Sequence, residues 1–278
     1  MWQPVSWSNN NEIGLNMAVV WITGASSGIG EALARQYILQ GDQLVLSARR
    51  ETELNRVKQA CIALGGKEVD ILVLPLDVTE HGEMQDRVQA VLHQFKCIDV
   101  LINNAGISQR SKCLDTDLSV YKTLLDVDVL GQIALTKVVL PIMVRQKSGH
   151  IAVTSSVAGK VGVKWRTGYC AAKHAVMGFF DALRAEVDEY GIQVSTITPG
   201  FIKTDVARNA VVGDGSQFED EDPNIEGGMD VDKCAHVIVS QMNKGVKEIA
   251  VGEGLSLLAL KIKRFFPSLL FTMMAKQP

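Results

Sequence analysis

The stretch AVVWITGASSGIGEALARQYIL, Ala18 to Leu39, decides the fold. Its first six residues, Ala18 to Thr23, form a short apolar, β-branched run that reads as a buried strand. Gly24, Gly28 and Gly30 follow at once, and a helical apolar pattern runs from Ile29 to Leu39. Glycines suit such a strand-turn-helix unit. They let the backbone bend sharply and let a pyrophosphate approach amide groups at the helix N-terminus, where the dipole favours negative charge. The spacing is G-x-x-x-G-x-G, not the commoner G-x-G-x-x-G. A glycine turn that only reverses the chain would not require the strand and helix on either side. Phosphate binding is the stronger reading, with Ser26, Ser27 and Ile29 beside the glycines.

Outward from this unit, strand-like runs at about 43–47, 71–75, 98–103, 149–154, 192–197 and 247–251 alternate with helical patterns at about 51–64, 80–94, 117–145, 168–190 and 230–243. Alternation of this kind predicts βαβ units. The expected fold is α/β, a doubly wound Rossmann-type parallel sheet of about seven strands with helices on both faces and ligands at the strands' carboxyl ends. With 278 residues, 47% hydrophobic and 21% charged, the chain can bury one substantial core, and residues 17–254 are read as one domain. Net charge is -3 with scattered basic residues, which gives no footprint for nucleic acid. The five cysteines and five histidines are dispersed without CxxC or metal-ligand spacing. No metal is expected, and the cysteines read as free thiols in a reducing, cytoplasmic compartment.

A second constellation carries chemistry. Tyr169 and Lys173 stand four residues apart, and Ser156 lies thirteen residues before the tyrosine. On a helix the pair shares a face, so the Lys173 ammonium sits near the Tyr169 phenol. A free tyrosine titrates near pH 10, about three units above neutrality, so using it as a base costs roughly 4 kcal/mol unless a cation favours the phenolate. Ser156 would offer a hydroxyl to a carbonyl oxygen while Tyr169 gives or takes the proton. Taken alone, YxxxK is common enough to mark an ordinary amphipathic helix, and the glycine turn is what raises it.

In this combination the chain resembles the short-chain dehydrogenase/reductase family, in its compact single-domain form, from about residue 17 to 254. The resemblance rests on TGASSGIG at 23–30, Asp77, NNAG at 103–106, Ser156, Tyr169 with Lys173, and Pro199-Gly200 leading through Ile202 to Thr204. It implies that Asp77 and Val78 border the adenine. Asn103, Asn104, Ala105 and Gly106 would shape the strand end beside the cofactor, Lys173 would also hold the nicotinamide ribose, and Pro199, Gly200, Ile202 and Thr204 would lie against the nicotinamide and phosphates. It further implies a small alcohol or carbonyl substrate and a homodimer or homotetramer.

Asp128 departs from the pattern, because the family has an asparagine there that completes a proton relay through water to the lysine. An ionised Asp128 would share the charge of Lys173 and raise the cost of the tyrosinate. The reading favoured here is that only the backbone carbonyl binds the water. For the cofactor, the second strand runs into Ala48, Arg49 and Arg50 with no carboxylate to repel a 2′-phosphate. The Arg49 guanidinium offers donors matched to phosphate oxygens, with Ser26 as a helper, so NADP(H) is expected.

Three segments lie outside the repeating pattern. Residues 1–16 show no secretory signal and read as a flexible extension. The irregular 205–229 stretch covers the substrate in the family, and only its part from Asp205 to Val212 is apolar enough to line a pocket. Residues 255–275 are strongly apolar, but Lys261, Lys263, Arg264 and Pro267 argue against a membrane span. The whole 255–278 segment is read as packing on its own domain, on a partner subunit or on a membrane surface, with docking against protein favoured. The expected activity is NADP(H)-dependent interconversion of an alcohol and a ketone or aldehyde. The alternative is a dinucleotide-binding sensor or scaffold without efficient catalysis. A sugar-nucleotide epimerase is disfavoured for want of a larger C-terminal substrate domain.

Overall fold

The computed structural model describes residues 17–206, 208–218, 220 and 223–276. The 1–16 extension and part of the acidic run after Phe218 lie outside the described residues. Seven parallel strands make the sheet: β1 (Val19–Thr23), β2 (Gln43–Ser47), β3 (Ile71–Val73), β4 (Val100–Asn103), β5 (Gly149–Thr154), β6 (Ile192–Pro199) and β7 (Glu248–Val251). Their order is β3-β2-β1-β4-β5-β6-β7, so chain direction across the sheet reverses between β1 and β4. β2 and β4 both pair with β1 in parallel, Trp21 facing Val45 on one side and Leu101 on the other. A reversal of this kind opens a crevice at the strands' carboxyl ends.

Helices α1 (Gly28–Leu39), α2 (Glu51–Ala63) and α8 (Val231–Asn243) cover one face; α3 (Met84–Phe95), α5 (Gly131–Gln146) and α6 (Thr167–Val187) cover the other. The alternation within β1 builds both cores. Val19 and Trp21 pack with α3, α5 and α6, while Val20 and Ile22 pack with α1, α2 and α8. Continuous Val/Ile/Leu strands are what two covered faces require. Buried Trp21 satisfies its indole by donating to Ser47 Oγ at 2.9 Å.

The helical pattern expected over 117–145 is broken into α4 (Leu118–Leu125), a π-helical turn Asp126–Leu130, and α5. This run, Leu118–Gln146, is long and apolar enough to cross a membrane, yet 50% of its most apolar window is buried. Here Val120, Leu124, Leu135 and Val139 are core residues. Beyond the sheet come a single turn, α7 (Pro223–Glu226), and a C-terminal pair, α9 (Leu255–Phe265) and α10 (Pro267–Ala275). Pro267 separates the pair and opens α10, the first-turn position at which its missing N–H costs nothing.

Candidate active site

The phosphate turn is shaped by close backbone approach. Gly24 and Gly28 have φ of 65° and 55°, the left-handed region that favours glycine. A Cβ on Gly30 would lie 2.2 Å from the Gly24 carbonyl oxygen, and one on Gly24 would lie 2.9 Å from Ala105 Cα. Gly30 therefore does not face the cleft; it lets α1 start beneath the turn. Thr23 and Asn104 hold the ends of β1, β4 and β5 together. Thr23 Oγ1 accepts the N–H groups of Asn104 and Ala105, each at 3.0 Å. Asn104 Nδ2 donates to the Thr23 carbonyl at 3.2 Å, and Thr154 Oγ1 donates to Asn104 Oδ1 at 3.1 Å.

One cleft of about 1220 Å³ runs along the carboxyl ends of the strands. At one end it is lined by Ser26, Ser27, Gly28, Ile29 and Gly24 of the turn, with Arg49 on its exposed rim. Asp77 and Val78 line it next, then Asn104, Ala105 and Gly106, and then Pro199, Gly200, Ile202 and Thr204 from the segment closing β6. Asn103 is buried behind the cleft, donating to Thr136 Oγ1 at 2.9 Å. Asp77 Oδ1 accepts the Thr79 N–H and hydroxyl at 2.9 and 2.8 Å, which fixes that carboxylate against its own loop.

The sequence reading missed Arg56. From α2 it donates to the Ser26 carbonyl at 3.2 Å and pairs with Glu31 at 2.7 Å and Glu53 at 2.8 Å, bracing the phosphate turn from outside. The Arg56 hydrogen bond is the largest influence holding Glu31 below the usual carboxylate range. Arg49, by contrast, has no ion-pair partner among the described residues.

Farther along, Ser156, Tyr169 and Lys173 converge on the same cleft. Ser156 sits on the turn after β5, where its Oγ accepts the Ala158 N–H at 3.1 Å. Tyr169 opens α6, whose cap position, Arg166, supplies no side-chain cap. Gln109, fully buried, reaches over from the loop after β4, and its Oε1 accepts the N–H groups of Gly168 and Tyr169 at 2.7 and 3.2 Å. Gly168 permits this approach, since a Cβ there would lie 3.0 Å from Gln109 Oε1 as well as 2.7 Å from Leu124. No local motif points to Gln109, because the contact spans about 60 residues.

Lys173 is buried, donates to the Thr154 carbonyl at 3.2 Å, and carries its ammonium 5.6 Å from the Tyr169 ring centroid. Asp128 lies off the cleft in the π-turn, and its carboxylate engages the lysine. Asp128 Oδ2 is 3.2 Å from Lys173 Nζ, while Oδ1 accepts the Ile107 N–H at 2.8 Å. Burial is the largest influence and holds the Asp128 carboxyl above its ordinary value, against the Lys173 ammonium and the Ile107 N–H, which favour its charged form. Burial alone would lower the Lys173 pKa, but Asp128 and then Tyr169 outweigh it and hold the ammonium above its ordinary value.

The far end of the cleft is apolar. Val161, Val163, Phe201 and Val206 line it, and the α9–α10 pair closes over it with Leu258, Ile262, Leu270 and Met274. Of the three readings for the C-terminal segment, packing on its own domain accounts for this inner face, with Leu270 buried. Its outer face leaves Phe265, Phe266, Leu269 and Phe271 exposed. The 205–229 stretch also does more than its composition suggested. Gly215, Gln217 and Ile225 line the cleft as well, because Val211 bridges to Gln109 and Gln217 and folds the later part inward.

The family model for short chain dehydrogenases matches residues 18–213. Dehydrogenase/reductase SDR family member 7 of Homo sapiens is 44% identical over 252 residues, covering 90% of this chain and 74% of that protein. Dehydrogenase/reductase SDR family protein 7-like of Drosophila melanogaster is 41% identical over 263 residues, covering 93% and 80%. Among solved structures, a short-chain dehydrogenase from Streptomyces avermitilis superposes with a TM-score of 0.80 at 26% identity, covering 95% of this chain and 97% of that one. A Burkholderia phymatum relative in complex with NAD gives 0.80 at 23% identity over 91% and 95%, a likeness of fold. The site and fold are those of a nicotinamide-dependent oxidoreductase acting on a small molecule. The chain belongs to the short chain dehydrogenase family.

Proposed function

We propose that the chain is an NADP(H)-dependent oxidoreductase that interconverts an apolar alcohol and its ketone or aldehyde. The observation that carries this reading is a single cleft with an unpaired arginine at its nucleotide end and Ser156, Tyr169 and Lys173 beside its apolar end. A planar guanidinium on the rim, with no carboxylate at Ala48, favours a 2′-phosphate over a bare ribose diol. The glycine turn fits a pyrophosphate, since Gly24 and Gly28 line the cleft in the left-handed region at the start of α1. The bound nicotinamide supplies or accepts the hydride. Ser156 Oγ orients the substrate oxygen, Tyr169 passes a proton to or from it, and Lys173 holds the ribose and tunes the phenol.

The α9–α10 pair supports two further parts of the proposal. Its inner face argues for a bulky apolar substrate. Its outer face combines exposed Phe265, Phe266 and Leu269 with Lys261, Lys263 and Arg264, and no acidic residue occurs from 255 to 276, which suits peripheral contact with an anionic membrane surface from the cytoplasmic side. Exposed Leu118 and Leu125, one α4 face apart from the cleft, suit a second copy in a homodimer or homotetramer.

The test combines cofactor titration with turnover. NADPH should bind more tightly than NADH, and a panel of apolar carbonyl compounds should drive NADPH consumption that Tyr169→Phe abolishes without loss of NADPH binding. Equal cofactor affinities would reject the NADP(H) assignment. Full turnover by Tyr169→Phe would reject the acid/base assignment. Cofactor binding with no turnover of any tested carbonyl would favour the sensor or scaffold reading. Flotation with phosphatidylcholine vesicles, with and without phosphatidylserine, tests the membrane contact, and sedimentation tests the oligomer.

A further inference from the structure

Asp128 stands where the family resemblance expects an amide, and its surroundings are those of a charge partner. It is fully buried; Oδ1 accepts the Ile107 N–H at 2.8 Å, and Oδ2, without an aligned hydrogen bond, lies at ion-pair distance, 3.2 Å, from the Lys173 ammonium. Gly106 packs directly over this pair, since a Cβ there would lie 3.1 Å from both Asp128 Oδ1 and Lys173 Nζ. Asp128 thus lies behind Gly106 and off the cleft, while Lys173 lines it. The ammonium also donates to the Thr154 carbonyl at 3.2 Å and stands 5.6 Å from the Tyr169 ring centroid.

We propose that Asp128 is a positioning residue that balances the charge of Lys173 and so keeps Tyr169 protonated near neutral pH, setting the site for proton donation to a carbonyl. The inference rests on Tyr169 being the acid/base. An opposite charge at this range lowers a tyrosine pKa by about one to three units, and a carboxylate paired with that charge cancels part of the effect. Other groups do not replace it. Besides Lys173, the charged residues lining the cleft are Arg110 and Asp205 on flanking loops, Lys164 and Arg166 ahead of α6, and Arg49, Arg50 and Asp77 at the nucleotide end. On α4, packed against α6, Lys122 pairs with Asp126 of the following π-turn, and Tyr121 shares a hydrogen bond with Thr167. Among the described residues, Asp128 is the largest charge influence on Lys173.

The direction of catalysis follows from the proton balance. In reduction the carbonyl carbon gains a hydride from the reduced nicotinamide, the Tyr169 O–H bond breaks, and the substrate oxygen takes that proton. The tyrosinate left behind is reprotonated from solvent. Oxidation needs the tyrosinate first. A Tyr169 held protonated thus extends carbonyl reduction to higher pH and confines alcohol oxidation to alkaline conditions.

The experiment titrates Tyr169 directly in the full chain, by the near-ultraviolet phenolate absorbance of the parent and of Asp128→Asn, each minus the same protein carrying Tyr169→Phe. The Asn variant should form its phenolate about one pH unit or more below the parent. The alkaline limb of kcat/KM for NADPH-dependent reduction of para-nitrobenzaldehyde should move down equally, while NADPH affinity stays within a few-fold. Asp128→Ser removes the same charge with a smaller side chain and should shift the phenolate the same way, so it decides the matter if the Asn variant fails to fold. A phenolate that forms at the same pH or higher in the charge-free variant overturns the proposal. If Tyr169→Phe itself retains turnover, the acid/base reading fails instead, and the two failures are distinct.

Discussion

Gln109→Ala isolates a contact that no local sequence rule contains. In the parent its Oε1 accepts the first N–H groups of α6 at 2.7 and 3.2 Å, and its Nε2 donates to Ser111 Oγ at 3.0 Å. Truncation orphans the buried Gly168 N–H, at about 1–3 kcal/mol, and weakens the second bond by about 1 kcal/mol. A loss of about 2–4 kcal/mol should lower the melting temperature by roughly 5–12 °C in a chain of this size. Because Tyr169 sits in the same first turn, its displacement should also lower kcat by about ten-fold or more. Gln109→Glu keeps an acceptor and adds a negative charge at a helix N-terminus, so it should recover most of the melting temperature. Thermal melts and NADPH-linked turnover on the three proteins are the assay. An alanine variant that melts within about 2 °C of the parent and turns over at the parental rate would show that the contact does not position α6.

Arg49→Ala should weaken NADPH binding by about 10- to 150-fold, the value of one charge-assisted phosphate contact, and leave NADH within about three-fold; fluorescence titration of both cofactors reads this, and equal losses would refute it. Gly30→Ala forces a Cβ to 2.2 Å from the Gly24 carbonyl and should cost about 1–3 kcal/mol together with most cofactor affinity, read by melting and titration. Burial pushes the His150 pKa down to about 4 and so disfavours its charged form, while Nε2 shares a 2.8 Å hydrogen bond with Ser195 Oγ. The unfolded chain binds that proton near pH 6.5, so this stability is present above pH 6.5 and is lost as pH falls toward 4, about 3 kcal/mol in all. The parent should therefore lose more stability than His150→Gln between pH 6.5 and 4, and parallel denaturation curves would contradict the assignment.

The fold was legible because each strand is a continuous apolar run flanked by turn chemistry, and both faces of the sheet need such runs. Strand limits differ by a residue or two, as at β4, where the pattern began at 98 and the ladder begins at Val100. The π-turn at Asp126–Leu130 was not legible. Its apolar spacing is helical, and the extra residue in the turn appears only in the backbone bonding that carries Asp128 inward. The C-terminal pair was legible as apolar and Pro-broken, but composition alone does not say which face a helix buries.

The site divides along the same line, and the division has a physical reason. Residues whose chemistry acts at a single position could be found from spacing: glycines that need a positive φ, a tyrosine and a lysine one helical turn apart, an arginine just past a strand. Residues that act by completing another group's bonding could not. Gln109 caps a helix about 60 positions away, Arg56 holds a carbonyl about 30 positions away, and Thr23 gathers two amides from β4's end, all through folded distances the chain order does not encode. Asp128 belongs to both sets. Its position was readable as a departure, but the role of its charge was not, because that depends on which atoms reach Lys173. With the backbone carbonyl alone engaged, an aspartate there would be a tolerated substitute. With the carboxylate at 3.2 Å from a buried ammonium, it alters the electrostatics of the proton-transfer group itself.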